Sequence, residues 1–351
     1  MSNGASPART TIHDVARAAG VSISTVSRVL NGLNRVHPQT RQKVLRAAQE
    51  LHYQPSAMAR GLAMQRTSAL GFVIPNISDV YYMEIVRGVE EATLERDFSL
   101  LVVSEPRLQL DQRLQNLFAQ NRVDGVVAVG IVLPPALIDT ARLHGIPLAV
   151  VQQDLFPQVT SFLVDNYQGA SEMASHLLDV HHYERIGYIA GTNYTRDNAE
   201  RLRALHDQLA QHGLDLPDDL VAQGDYFPGS GYRAMQTLLD HSPDLEAVFA
   251  ANDQMAADAI LAARDRGLRV PEDIAIVGFD DIAMASYMNK PLTTVHQPTY
   301  ELGHQAARWA LDHLDSPAEP TRTLLPAHLV VRRSCGCAYD RESYRSPSEP
   351  A

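Results

Sequence analysis

Within five residues, Ser24, Thr25, Ser27 and Arg28 gather three hydroxyls and one guanidinium. On a helix these four share the side opposite Val26, Val29 and Leu30, so the polar groups project away from an apolar face. A guanidinium so placed can donate two parallel bonds to O6 and N7 of guanine, worth about 1–3 kcal/mol of base discrimination. The lesser alternative is a phosphate clamp without base reading. Thr25, Ser27 and the following Asn31 suit phosphate oxygens, contacts that fix register without reading sequence. A second set of polar residues stands at the ends of apolar runs. Asn252 follows AVFAA and can both donate and accept; Asp280 follows IAIVGF and can accept from sugar hydroxyls or a ring N–H. Tyr81 and Tyr82 come after the first such run and offer flat faces of the kind that carbohydrate or purine rings stack on.

The elements that position the first set are two short helices. Ile12, Val15, Ala16 and Ala19 recur at helical spacing, and Gly20 stands where a helix must stop and turn, a place that often needs positive φ. Val21 then leads into a second helix. A third runs from Pro38, with Val44, Leu45, Ala48 and Leu51 on its apolar side. This is the pattern of a helix-turn-helix that presents its second helix to the major groove. Pro55-Ser56 then breaks the chain before AMARGLAMQ, a segment of about two turns interrupted by Gly61. So short a helix is marginal in water and should form only when something else supports it.

From Ser68 the pattern becomes alternating strand and helix. Apolar runs at 69–75, 99–104, 123–130 and 146–152 look like buried parallel strands, with helices near 82–97, 109–121 and 135–144 between them. A second series has strands at 185–191, 220–224, 247–252 and 273–281 and helices near 167–180, 198–212, 230–240 and 254–267. Helix 300–315 and a short strand near 328–332 complete it. Two such series imply two doubly wound lobes, with ligands expected at the carboxyl ends of the strands. The expected organisation is an all-α head (10–55), a hinge (56–66) and an α/β core (67–337). The core divides into an N-lobe of 67–165 plus 295–325 and a C-lobe of 166–294 plus 326–337. A polar, disordered tail (338–351) follows.

The net charge of −11 over 351 residues conceals a division. Residues 1–66 carry nine Lys and Arg against Asp14 and Glu50, a net of +7, which leaves −18 on the remaining 285. A small basic head on an acidic body is the electrostatic footprint of a DNA reader joined to something else. No apolar run is long enough to span a bilayer, and MSNGASPART lacks the apolar centre of a secretory signal, so the expected location is cytoplasmic. Cys335 and Cys337 then read as free thiols in a reducing compartment, too close together for a disulfide framework; a C-x-C can bind metal, but two ligands alone are weak support for it. Of the fourteen histidines, His181-His182 is the close pair. With no H-x-x-x-H and no Cys/His set beside it, a surface helix end is the expectation and no metal site is assigned.

The chain resembles the lactose-repressor (LacI/GalR) family. The resemblance is carried by TIHDVARAAGVSISTVSRVLNG, TRQKVLRAAQELHYQPSAMARGL, IVRGVEEA, RVDGVV, VDNYQGA, QGDYFPGSGYRAM, ANDQMA, LRVPEDIAIVGFDD, PLTTVHQP and RRSCG. It covers roughly residues 10–337. It implies a homodimeric transcriptional regulator, with a core like a periplasmic sugar-binding protein, that binds a pseudo-palindromic operator and a small effector. By the same resemblance Ile23 and Ser24 tune operator choice, Ile23 by apolar contact alone. Leu62 corresponds to a wedge that enters the minor groove and opens a central base step, or else it packs on the core. Arg201 matches an arginine aimed into the cleft, and Arg196 and Tyr226 fall at lining positions. Arg201, Asn252 and Asp280 favour a sugar or sugar derivative; Arg196 and the paired tyrosines leave a purine or nucleoside open. Each of these residues could instead cap a helix or satisfy the cleft backbone. Asp165 reads as structural, and His296 and Gln297 border a crossover between lobes, where a hinge role and ligand contact stand equally open.

Other classes fit less well. Doubly wound lobes in an enzyme would be expected to carry G-x-G-x-x-G, G-x-x-x-x-G-K-[ST] or G-x-S-x-G, and none is present. A solute-uptake protein would share the core but not the basic head. A DNA-binding regulator with a vestigial cleft, signalled by a protein partner, is the remaining alternative.

Overall fold

The computed structural model describes residues 10–30, 36–53, 66–104, 118, 120, 122–130, 133–154, 156–192, 195–316 and 319–338. Asn31, the linker helix with Leu62, most of the helix expected at 109–121 and the tail from 339 lie outside the described residues. No helix among the described residues is long and apolar enough to cross a membrane.

Three helices form the head: α1 (Ile12–Ala19), α2 (Ile23–Leu30) and α3 (Pro38–Glu50). The Asp14 carboxylate accepts the Thr11 N–H (3.0 Å) and hydroxyl (2.7 Å), tying off the start of α1. Gly20 ends it at φ +64°, which lets the chain turn directly into α2. Val15, Ala16, Val26, Val29, Val44, Ala47 and Ala48 make a small buried core. Leu45 was expected on that inner face, but it is 48% exposed and Ala47 takes the place.

The N-lobe is a six-stranded, all-parallel sheet in the order β11-β5-β4-β3-β1-β2. Its strands are β1 (Ala69–Ile74), β2 (Ser99–Ser104), β3 (Gly125–Val129), β4 (Leu148–Val151), β5 (Thr160–Val164) and β11 (Arg322–Leu325). Helices α4 (Tyr82–Leu94), α5 (Pro135–Leu143) and α11 (Thr299–Asp312) cover it. The lobe includes two strands that the apolar runs did not reveal, β5 and the edge strand β11. In α4 and α11, Gly88 and Gly303 meet backbone to backbone. A Cβ on Gly88 would lie 2.1 Å from Tyr300 O, and one on Gly303 would lie 2.2 Å from Ile85 O, so only glycine fits at either place.

The C-lobe sheet is β7-β6-β8-β9, also all parallel. It comprises β6 (Ile186–Ala190), β7 (Val221–Gln223), β8 (Ala247–Ala250) and β9 (Ala275–Val277). Around it lie α6 (Asn166–Ser175), α7 (Arg196–Gln211), α8 (Ser230–His241), α9 (Asp253–Asp265) and the short α10 (Ala283–Tyr287). The strand expected over 273–281 is therefore shorter, and the chain bends sharply at Asp280 and Asp281, both at positive φ. The helix expected at 167–180 is interrupted: α6 widens into a π-helical turn at His176–Val180. An antiparallel pair, β10 (Thr294–His296) and β12 (His328–Val330), stands where the chain passes between lobes. The passages occur at 164–166, 296–299 and 325–328.

Candidate functional site

In the head, Ile23, Ser24 and Arg28 are exposed on one side of α2, Thr25 and Ser27 are half-buried, and Val26 and Val29 are buried behind them. Ser22 organises the start of this helix. Its hydroxyl accepts the Thr25 N–H at 3.2 Å and lies 2.8 Å from both the Ser24 and Thr25 hydroxyls. An isoleucine 42% exposed beside three hydroxyls and an arginine is a surface suited to another molecule rather than to the head's own core.

In the core, residues that follow strands of both facing sheets meet in one polar constellation, centred on Arg201. This residue sits on the buried side of α7, with Asn198, Ala204 and Leu205. Its Nε donates to Asn166 Oδ1 (2.9 Å) and its Nη1 to the Ala251 carbonyl (2.5 Å). Asp280 Oδ1 lies 3.6 Å from Nη1, and the guanidinium stacks 3.8 Å from the centroid of the Phe279 ring. Burial opposes the arginine's charge, but Asp280 and the other acidic and phenolic groups around it outweigh that and keep it cationic.

Asp280 follows β9 at φ +117°, a conformation L side chains rarely adopt. Burial pushes its carboxyl up to about 7, against the pull of Arg201 and of the Gln297 amide, which donates to Oδ1 at 2.5 Å. Gln297 Oε1 in turn accepts from Tyr81 Oη at 3.1 Å, and Gln152 Nε2 donates to the same phenol. One chain of contacts therefore runs from Gln152 and Tyr81 in the N-lobe, through Gln297 at the crossover, to Asp280 and Arg201 in the C-lobe. Tyr82 meets Tyr81 edge to face with centroids 5.3 Å apart. Burial raises both phenols well above the usual tyrosine value, so they remain neutral donors.

The other expected residues divide. Tyr226 (φ +72°) lays its ring where any side chain on Gly191 would overlap it, and its hydroxyl is 3.3 Å from Thr195 Oγ1. Burial lifts this phenol to about 12. Asn252 caps α9 by accepting the Met255 N–H (2.9 Å), while its amide donates to the Tyr226 carbonyl (3.3 Å), so both ends of its side chain have protein partners. Asp165 caps α6 through the Gln168 N–H. Arg196 is held by Asp154 (2.7 Å) and Glu200 (2.8 Å) at the edge of the constellation.

Sequence reasoning did not single out Gln152, Asn166 or Asp197. Asn166 donates to Asp197 Oδ1 (2.9 Å) while accepting from Arg201, and burial raises the Asp197 carboxyl. The one available signal was position: Gln152 directly follows β4, and Asn166 lies two residues past the end of β5. Nor did it foresee a Cys/His set. Contrary to that expectation, His181 faces His176, Cys335 and Cys337, and His182 is not part of the group.

Comparison with known proteins agrees with this architecture. Residues 11–56 match the model of the bacterial regulatory proteins of the lacI family, and residues 174–335 match a periplasmic binding protein-like domain. The HTH-type transcriptional regulator CelR of Thermobifida fusca is 37% identical over 339 residues, covering 93% of this chain and 98% of that protein. A solved complex of a transcriptional regulator CelR with cellobiose is 35% identical and superposes with a TM-score of 0.71 over 93% of this chain and all of that one. The lac repressor dimer bound to operator and the anti-inducer ONPF is 29% identical, with a TM-score of 0.82 over 93% and 99% of the two chains. A helix-turn-helix head, two parallel-sheet lobes and full-length identity of this order make the chain a member of the LacI family of DNA-binding transcriptional regulators.

Proposed function

We propose that this chain is a cytoplasmic, homodimeric repressor, without enzymatic activity, that reads a pseudo-palindromic operator through paired α2 helices. Two-fold protein symmetry pairs with two-fold DNA symmetry. Arg28 reads a guanine, Ile23 and Ser24 set operator preference, and Thr25, Ser27 and Asn31 hold phosphates. Leu62 wedges the central step from the linker. The effector is a sugar held between the lobes by Tyr81, Tyr82, Arg196, Arg201, Tyr226, Asn252 and Asp280, with Gln152, Asn166 and Gln297 added to that set.

The observation that carries this reading is the continuous chain Tyr81–Gln297–Asp280–Arg201, which joins both lobes at the strand ends. A fixed guanidinium beside a carboxylate and an amide complements vicinal hydroxyls, and adjacent tyrosines offer faces to a pyranose ring. Cellobiose, the ligand in the related CelR complex, is the first effector to try. Because the chain crosses both lobes, a ligand that replaces some of its links favours one lobe arrangement over another, the requirement for shifting DNA affinity. The test is a thermal-shift screen of the full chain with cello-oligosaccharides, other disaccharides and nucleobases. Operator binding is then measured with and without each hit. A disaccharide that raises the melting temperature and changes operator affinity supports the reading; a response confined to nucleobases overturns the sugar assignment.

A further inference from the structure

We infer that His176, His181, Cys335 and Cys337 form a tetrahedral metal site of the zinc class, separate from the effector cleft. The four side chains come from two segments about 160 residues apart: Cys335 Sγ lies 3.5 Å from His176 Nε2 across a separation of 159 positions. Cys337 Sγ lies 3.6 Å from His176 Nε2 and 3.3 Å from His181 Nε2. All four ligand atoms fall within 4.8 Å of one another. Zinc bonds of about 2.3 Å to sulfur and 2.0–2.1 Å to nitrogen give a sulfur-to-nitrogen tetrahedral edge of about 3.6 Å. Three edges of the cluster, at 3.3, 3.5 and 3.6 Å, are already near that length.

The backbone accounts for the convergence. In an α-helix, residues five apart point about 140° away from each other. The π-helical turn at His176–Val180 closes at i to i+5 and so returns His181 to the side of His176. On the other segment, Gly336 adopts φ +108°, and a Cβ there would approach His181 Cε1 to 3.3 Å and Tyr183 Oη to 3.4 Å. Glycine thus lets the Cys-Gly-Cys turn lie against the imidazole with both sulfurs facing the histidines.

A surrounding shell fixes the ligands. The Thr293 hydroxyl donates to Cys335 Sγ (3.1 Å), the role that suits a thiolate. Tyr183 Oη donates to the Cys335 carbonyl (3.1 Å), and the His181 ring stacks parallel to Tyr183 at 5.2 Å. Partners of this kind orient first-sphere ligands in metal sites. Two sulfurs and two imidazole nitrogens suit zinc or another borderline-soft ion and not magnesium or calcium, which take oxygen. Such an ion would pin the C-terminal segment to α6. The same segment carries buried Arg332, which holds Asp281 at 2.6 Å, next to Asp280 of the cleft. The site therefore braces one wall of the cleft without touching its ligand.

The experiment uses the full-length protein, purified reduced and stripped with chelator, then titrated with cobalt(II) and zinc(II) chloride. One cobalt per chain is expected, with a thiolate charge-transfer band in the near ultraviolet and the intense visible bands of tetrahedral cobalt, both removed by zinc. Cys337→Ser and His181→Asn sit at half-buried positions. They should weaken zinc at least tenfold and remove the rise in melting temperature that zinc gives the parent. His182→Asn should change neither. Circular dichroism of the stripped variants separates loss of ligand from loss of fold, since a folded Cys337→Ser that binds like the parent overturns the assignment. Weak, octahedral cobalt spectra, or a Cys335–Cys337 disulfide that forms quantitatively when reductant is removed in the presence of zinc, would also overturn it.

Discussion

Arg196 Nη1 lies 2.7 Å from Asp154 Oδ2, joining the first turn of α7 in the C-lobe to the segment that leaves β4 in the N-lobe. Glu200 holds the same guanidinium from one helical turn away, and Arg322 approaches Asp154 at 3.3 Å. The Arg196–Asp154 pair is 20% and 28% exposed, so it is screened less than a surface pair. It opposes separation of the lobes. Asp154→Ala should weaken effector binding about three- to tenfold, consistent with the loss of about 1 kcal/mol from a charge-assisted contact, and leave the fold intact. Calorimetric titration of parent and variant with the identified effector checks this.

Arg28→Ala should erase operator preference at one base pair per half-site, a loss of about 1–3 kcal/mol. Lys43→Ala, on the exposed side of α3, should weaken binding evenly across sequences. Fluorescence anisotropy with operator and random duplexes reads both. An Arg28→Ala variant that still discriminates as the parent does would move base reading to other residues.

Operator affinity should fall steeply with salt despite the acidic total charge. Counterion release follows the contacts made by the +7 head, and the −18 of the remaining residues does not enter it. The measurement is the slope of log affinity against log salt, and a flat line would remove the head as the binding surface.

Asp280 has a raised carboxyl value, about 7 against 3.8 for an ordinary aspartate, with burial as the main cause. The neutral form is therefore the one the fold favours. The stability this contributes is complete below about pH 4 and is lost as pH rises through about 7. Melting temperature of the effector-free protein should fall over that window, and Asp280→Asn, which tolerates positive φ, should reduce the slope. Buried Asp253 and Asp197, both raised by burial, retain the remainder. Sugar hydroxyls donate best to the ionised carboxylate, so effector affinity should rise with pH over the same range.

Arg201→Ala should be the costliest cleft substitution. It leaves Asn166 Oδ1 and the Ala251 carbonyl without their donor and Asp280 without its neighbouring cation, and each buried polar group left unsatisfied costs about 1–3 kcal/mol. Urea unfolding of the variant measures that loss, and effector titration should show no response.

What could be read in advance follows physical lines. Apolar runs exposed the buried strands β1, β3, β4, β6 and β8, because strands covered on both faces are apolar throughout. Edge strand β11 alternates between exposed and half-buried positions over only four residues, and it pairs with β5 from a distant part of the chain. Neither property leaves a local signature. Asp280 and Asn252 were legible because each ends a strong run, whereas the use of Asn252 as a helix cap depends on backbone direction. Gln152 owes its place to a positive φ that its sequence does not announce. The Cys/His cluster was hidden twice, by a separation of more than 150 residues and by a π-turn that defeats the i, i+3 and i+4 pattern.

The reciprocal glycine contact between α4 and α11 turns the helical layer of the N-lobe into a stiff plate. With Gly88 and Gly303 each seated on the other helix's main chain, the two helices have no side-chain cushion along which to slide. Three short passages at 164–166, 296–299 and 325–328 join this plate to the C-lobe among the described residues, so a hinge rotation between the lobes would have to be taken up there. A rotation of a few degrees at such passages grows with distance along the plate, so its displacement is greatest at the ends remote from the effector.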